Sequence, residues 1–269
     1  METVTTPTLA NNTNLIDGLS AMETIEFPKL KTITDARFIG DCQALEEVNF
    51  PMLETVSSKF PVIINCPLIN KVSMPNVSTC ASTTGGAFVI NSNALSELKL
   101  GEEVTVWQAA RSANVDGLHI DVPVTWSTTA SYSNTYGDYY APKLYFDTIK
   151  KGRIHMGGSG AYGNSCTYLY LGCYGNPTDE IALGFGSNPQ VTDVEIREGA
   201  RQIITLTNFT TLTADNIVAH IFEKLADNTY QEDGVTPAEP ITITLGTTNL
   251  NKLTAEQKAV ATDKNYILA

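Results

Sequence analysis

Few side chains in this sequence are suited to acid–base or nucleophilic chemistry, and the three histidines are the first to consider. His119 alternates with apolar neighbours on a strand-like run, so its imidazole is expected on the outer face of that strand. His220 lies in a helical run, away from the apolar stripe, and is also expected at the surface. His155 precedes Ser159, but a G-x-S-x-G nucleophile elbow would need glycine where Ala161 stands, and no helical run follows. We therefore expect a protein that is not an enzyme.

The cysteines do not form a metal or redox motif. Five is an odd number, so they cannot all form disulfides within one chain. No CxxC pair and no cysteine–histidine cluster has zinc spacing, and no EF-hand run is present in the sequence. The glycine-rich segments lack a following helix N-terminus that would hold a phosphate. We expect buried, reduced thiols at Cys42, Cys66, Cys80, Cys166 and Cys173, with no metal and no cofactor.

Tyrosines are concentrated in one part of the chain, because nine of the eleven lie between residues 132 and 174. The first of them fall in a turn-rich insertion with serine, asparagine and glycine, a composition typical of binding loops. Tyr145, Tyr168 and Tyr170 are instead expected in strands, packed in the core or on a wall. Loop packing without a ligand is the alternative for the insertion. The predicted ligand-binding residues are Trp126, Tyr132, Tyr136, Tyr139 and Tyr140.

The charge balance excludes some partners. Among 269 residues, 17 are basic and 29 are acidic, which gives a net charge of −12. Phosphate binding requires the opposite sign, so nucleic acid and anionic membrane surfaces are not expected partners. No apolar run approaches the ~20 residues that a membrane helix requires. The first residues lack the basic and apolar regions of a secretory signal, so either that export route is not used or a signal has been removed.

A pattern repeated around a proline organises the first part of the chain. Pro28, Pro51 and Pro75 are 23 and 24 residues apart, and the segments around them align without gaps. A fourth copy has Gly101 in the position of the proline. Proline after a short strand ends the strand pairing and makes the bend rigid. The four copies are residues 22–33, 44–56, 68–80 and 94–106.

The repeat spacing predicts a solenoid. A strand with one apolar face cannot bury that face alone, whereas stacked turns join such faces into continuous columns. We predict a mainly β solenoid of about eight turns with one such strand in each turn, and an antiparallel sandwich with chance spacing is the alternative. Cys42, Cys66 and Ser92 share a slot and should form a further column. The predicted strand positions are Ile25, Val48, Val72, Leu98, Leu118, Leu144, Tyr168 and Val194.

The C-terminal part departs from the repeat and is expected to cap the solenoid as a small α/β module. A helical period begins after Thr213, which can cap the helix. A turn-rich loop and an alternating strand follow. Thr254 and Gln257 then form the capping box of a second helix, and the chain ends in a last strand. These segments are residues 213–228, 231–240, 241–246, 254–265 and 265–269.

The repeat resembles the BspA-type leucine-rich repeats. The copy that matches best has Leu45, Val48, Phe50, Pro51, Leu53 and Val56, closed by Cys66. The likeness is close over 19–106 and loose over 107–200, where Gly101 replaces proline and 121–190 is richer in glycine and tyrosine than the family pattern. The C-terminal part looks like a terminal module found in phage or prophage tail and surface proteins and in bacterial surface proteins.

The resemblance implies a solenoid that serves adhesion or recognition, without a shared enzymatic activity. On this basis we expect a lead-in at 1–18, a solenoid at 19–200 with variant turns at about 121–190, and a C-terminal cap at 201–269. A polysaccharide-active enzyme on such a solenoid is disfavoured, since the repeat places no pair of carboxylates.

Two functions fit these expectations. One is a virion component, in a tail or fibre, that mediates attachment or assembly through the solenoid surface. The other is a cell-surface adhesin that binds a host protein or glycan. The partners are then a protein or glycan ligand, neighbouring virion subunits or a second copy of the chain, and the expected location is the virion or the cell surface.

Overall fold

The computed structural model shows a chain that winds through parallel strands from Thr3 to Leu268. The strand pairings among the described residues are parallel, and those between turns of the solenoid join strands about one repeat apart. Stacked turns of this kind define a solenoid, so the predicted mainly β solenoid of about eight turns is confirmed. The structure describes residues 3–5, 14–34, 37–57, 62–80, 89–90, 94–101, 103–105, 110–111, 116–121, 124–127, 139–140, 142–156, 166–185, 190–207 and 209–269.

The strands form three ladders, which we number by their order within a turn. The first ladder contains Thr24–Glu26, Glu47–Asn49, Lys71–Ser73, Glu97–Lys99, Leu118–Asp121, the first half of Lys143–Met156, Tyr168–Cys173 and Asp193–Ile196. The second contains Thr3–Thr5, Thr32–Thr34, Thr55–Ser57, Thr79–Cys80, Glu103–Thr105, Val124–Ser127, the second half of Lys143–Met156, Glu180–Phe185 and Ile203–Thr205. The third contains Asn14–Asp17, Arg37–Gly40, Ile63–Ile64, Val89–Ile90, Ala110–Arg111 and Tyr139–Tyr140.

The core consists of columns of inward side chains from successive turns. Val48 lies opposite Val72, and Val72 opposite Leu98, in the first ladder. The predicted column is confirmed, because all six of its members are buried: Val48, Phe50, Val72, Met74, Leu98 and Leu100. Cys42 and Cys66 are also buried and lie next to each other in successive turns, as predicted, while Ser92 lies outside the described residues.

Phenylalanine rings fill the first turns. The ring of Phe50 stacks on that of Phe27, with centroids 5.0 Å apart and planes 11° apart. Phe38 contacts both rings, at 4.9 Å from Phe27 and 5.8 Å from Phe50. Backbone bonds fix the turns that carry these rings, since Phe27 N–H donates to Asn49 and Phe50 N–H donates to Ser73.

The structure corrects three details of the predicted ladder. The prediction gave one strand to each turn, whereas turns such as Thr24–Gly40 contain three. Leu98 lies opposite Ile120 rather than Leu118, so the predicted position Leu118 belongs to the neighbouring column, which continues to Leu144. The position given to Tyr168 belongs to Leu169, which is buried. A shift of one residue moves a side chain to the other face of a strand, so Tyr168 points outward.

The C-terminal segment extends the second ladder and covers the end of the first. Ile241–Thr244 pairs with Ile203–Thr205, and Tyr266–Leu268 pairs with Ile241–Thr244. The predicted first helix begins at Thr213 as expected, but after Ala214–Asn216 it continues as a π-helix, Ile217–Phe222, which packs on the last strand of the first ladder.

The remaining cap elements largely follow the sequence pattern. The second predicted helix is Ala255–Thr262, with the capping box of Thr254 and Gln257 formed. A short helix that the sequence did not predict, Thr247–Leu250, precedes it. The Lys264 ammonium group donates to three carbonyl groups at and just after the end of the π-helix. Within the described residues, no helix has both the length and the apolar content needed to cross a membrane.

Candidate functional site

The outer face of the first ladder carries four ring side chains, His119, Tyr145, Tyr168 and Tyr170, which we call the aromatic wall. Side chains alternate between the two faces of a strand, so the buried positions of the same strands leave these four rings outside. Strand register places His119 opposite Tyr145, and Tyr145 opposite Tyr170. The wall therefore spans three successive turns of the ladder.

The rings of the aromatic wall contact one another. The imidazole of His119 lies flat on the phenol ring of Tyr145, with centroids 4.3 Å apart and planes only 1° apart. The Tyr145 ring also lies 5.5 Å from that of Tyr168 and 6.4 Å from that of Tyr170, both tilted. Because the ladder backbone fixes each ring, the wall can stack on a planar or apolar ligand surface at little cost in conformational entropy.

Two carboxylates contact polar atoms of the aromatic wall. The Asp147 carboxylate lies 2.9 Å from Nδ1 of His119, and the Tyr168 hydroxyl donates to Glu195 at 2.6 Å. Burial, then the hydrogen bond to Glu195, raises the pKa of Tyr168 above its ordinary range. Burial also raises the pKa of Tyr170. Both phenols are therefore neutral hydroxyl groups at physiological pH.

A shallow depression lies beside His119 on the same face. Its volume is about 340 Å³, and it is lined by Ser96, Glu97, His119, Asp121 and Asp147. Lysines of the earlier turns pair with two of its carboxylates, at 3.4 Å for Lys71–Glu97 and 2.8 Å for Lys99–Asp121. The depression thus offers carboxylate and hydroxyl oxygens next to a stacked aromatic platform. This arrangement is suited to binding through stacking and hydrogen bonds.

The five predicted site residues do not fall together in one described loop. Trp126 lies in the second-ladder strand Val124–Ser127, paired with Val104 and Gly152. Tyr139 and Tyr140 form a strand of the third ladder, paired with Ala110 and Arg111. The expectation that Tyr139 and Tyr140 lie in a turn-rich loop is therefore wrong. Tyr132 and Tyr136 lie outside the described residues. A binding role for any of the five stays a prediction.

The residues of the aromatic wall were visible in the sequence but were not predicted as a site. Tyr145, Tyr168 and Tyr170 were expected in the core or on a wall, and the structure places them on a wall. His119 was expected at the surface, and its side chain is 46% exposed. Strand register would have identified the four residues as one surface, since outward residues at equivalent positions of successive turns must be neighbours.

The other chemistry-bearing side chains of the described chain are dispersed or buried. In the part of the chain that the structure covers, no three histidine, cysteine or acidic side chains converge as a metal site would require. Cys42, Cys66, Cys166 and Cys173 are buried free thiols. Burial raises the pKa of Cys66 to about 12, so its thiol is protonated and a poor nucleophile at physiological pH.

Comparison with known proteins identifies no relative, because no family model, no curated protein and no solved structure matches the chain.

Proposed function

We propose that the chain is a recognition or structural module without enzymatic activity, a component of a phage tail or fibre that mediates attachment or assembly. The observation that carries this proposal is the exposed stack of His119 on Tyr145 within the aromatic wall. Rigid aromatic side chains with a polar edge dominate many recognition surfaces, because they supply contact area with few torsions to fix.

The surroundings of the wall favour a protein or glycan partner. The lysines nearest the depression, Lys71 and Lys99, are engaged in pairs with Glu97 and Asp121, so among the described residues they offer no unpaired cation for a phosphate backbone. Neutral tyrosine hydroxyls and carboxylate oxygens can exchange hydrogen bonds with polar groups while the rings stack. Repeating turns hold this surface at a fixed spacing, which suits contact with a repetitive surface such as a cell envelope or a virion lattice.

Adsorption of the purified chain tests the proposal. We expect it to bind cells of the bacterium that its phage infects, or the purified phage particle itself. The double variant Tyr145→Ser/Tyr170→Ser should reduce binding about tenfold or more, since the partner loses two stacking surfaces. Ile267→Ser is the matched control, because Ile267 is 49% exposed on the outer face of the second ladder.

An antibody against the chain then separates the two settings of this function. Detection in purified particles supports the virion component. Detection in the bacterial envelope, with no signal in particles, would replace that location with a cell-surface adhesin. Equal binding by the wall variant and the wild type would contradict a role for the aromatic wall in either setting.

A further inference from the structure

A groove of about 700 Å³ lies where the last turns of the solenoid meet the cap. One side is the corner between the first and second ladders, at Gly175, Asn176 and Gly199. The other side is the cap loop from Asn228 to Glu239. The volume is in the range of small-ligand sites, about 300–1,000 Å³. We call it the cap groove; it shares no lining residue with the aromatic wall.

Hydrogen bonds hold the loop side of the cap groove in a fixed shape. The Asp233 carboxylate accepts from the backbone N–H of Val235 at 3.0 Å and of Thr236 at 2.9 Å. Bonds from Thr236 and Val235 lower the pKa of Asp233, so it stays charged and keeps these contacts. The buried Asn228 donates to the carbonyl of Glu239 at 2.9 Å. The groove is thus a preformed feature of the cap.

Several side chains that line the cap groove retain hydrogen-bonding capacity. The Arg201 guanidinium donates one N–H to the carbonyl of Asp227, and within the described chain it has no carboxylate ion pair. The side chains of Asn176, Gln231 and Glu239 bond to no other described group. Guanidinium and amide N–H groups therefore face the same space as amide and carboxylate oxygens.

We propose that the cap groove binds a neutral saccharide. Each sugar hydroxyl both donates and accepts, and the mixture of Arg201, the two amides and the glutamates supplies both roles within one groove. An acidic sugar is disfavoured, because Glu232 and Glu239 line the groove and the chain carries a net charge of −12.

Saturation-transfer difference NMR on the full chain tests this site. The probes are glucose, galactose, mannose and N-acetylglucosamine at tens of millimolar, with N-acetylneuraminic acid as the acidic comparison. We expect at least one neutral sugar to bind. Gln231→Ala and Asn176→Ala should each weaken that binding about fivefold, which is what loss of one hydrogen bond produces. Gln190→Ala is the matched control, since Gln190 is exposed and lies outside the groove.

Several outcomes of this experiment would overturn the proposal. Binding of no neutral sugar would exclude the ligand class, as would binding of N-acetylneuraminic acid alone. Binding that survives both groove substitutions would place the sugar elsewhere. The proposal is independent of the aromatic wall, so Tyr145→Ser/Tyr170→Ser should leave the sugar signal unchanged. A loss of the signal in that variant would assign the sugar to the wall instead.

Discussion

Replacement of Phe50 with alanine should destabilise the first turns of the solenoid severely. The side chain is fully buried, and such Phe→Ala changes cost about 3–5 kcal/mol of unfolding free energy. The Phe50→Ala variant also lacks the ring contacts with Phe27 and Phe38, each worth about 0.5–1.5 kcal/mol. The backbone hydrogen bonds from Phe27 to Asn49 and from Phe50 to Ser73 fix the spacing between turns, so the structure can relax only partly into the cavity. We expect a loss of about 4 kcal/mol.

Equilibrium urea unfolding followed by far-ultraviolet circular dichroism measures this loss. Thermal unfolding of the same variant gives a second measure. The melting temperature should fall by about 8–16 °C, at about 2–4 °C per kcal/mol for a chain of this size. Because each turn contacts only its neighbours, the first turns can also unfold before the rest and broaden the transition. The control is Met52→Ala, two residues along the same turn and 42% exposed, which should cost less than about 0.5 kcal/mol. A loss below about 1 kcal/mol for Phe50→Ala would contradict the stacked core.

Three further predictions concern the thiols, the cap and the pH dependence of stability. Because burial raises the pKa of Cys66 to about 12, its thiol should resist alkylation at pH near 8 in the folded chain and react at once in urea; rapid labelling of the folded chain would contradict its burial. Lys264→Met removes three hydrogen bonds to carbonyl groups at the end of the π-helix and should cost about 2–3 kcal/mol by urea unfolding, whereas Lys258→Met should cost little. The pKa of Tyr168 is raised in the folded chain, so the unfolded chain loses this proton first and stability should fall as pH rises above about 10. Tyr168→Phe should flatten that fall in urea titrations at alkaline pH, and an identical slope would contradict the partly buried bond to Glu195.

The first ladder could be predicted from the sequence because its strands carry a clear pattern. Val48 and Val72 are flanked by polar residues and recur at a constant spacing, which fixes both their face and their stacking. The second ladder could not be predicted in the same way. Its strands Thr32–Thr34 and Thr55–Ser57 each hold one apolar residue between two hydroxyl residues, which is too short for a period to emerge.

The aromatic wall could be predicted only in part. Alternation alone places His119 on an outer face, and the structure agrees. Its contact with Tyr145 depends on the pairing of Leu118 with Leu144, which is a property of register between turns. In the weaker middle turns the spacing alone does not fix that register, as the pairing of Leu98 with Ile120 shows. The predicted ladder places Leu118 next to Leu144, as the structure does, but the ring contacts also require side-chain conformations that spacing does not give.

The stack of His119 on Tyr145 is the feature on which the proposed function depends, and histidine NMR measures it directly. The chain has only three histidines, so proton–carbon correlation spectra of the imidazole groups can be assigned with single His→Gln variants. With the two rings 4.3 Å apart and parallel, the His119 ring protons lie over the face of Tyr145 and should resonate upfield of those of a free histidine. In Tyr145→Leu they should return to ordinary positions, while the signals of His220 stay unchanged. An ordinary His119 spectrum in the wild type, unaffected by Tyr145→Leu, would contradict the aromatic wall.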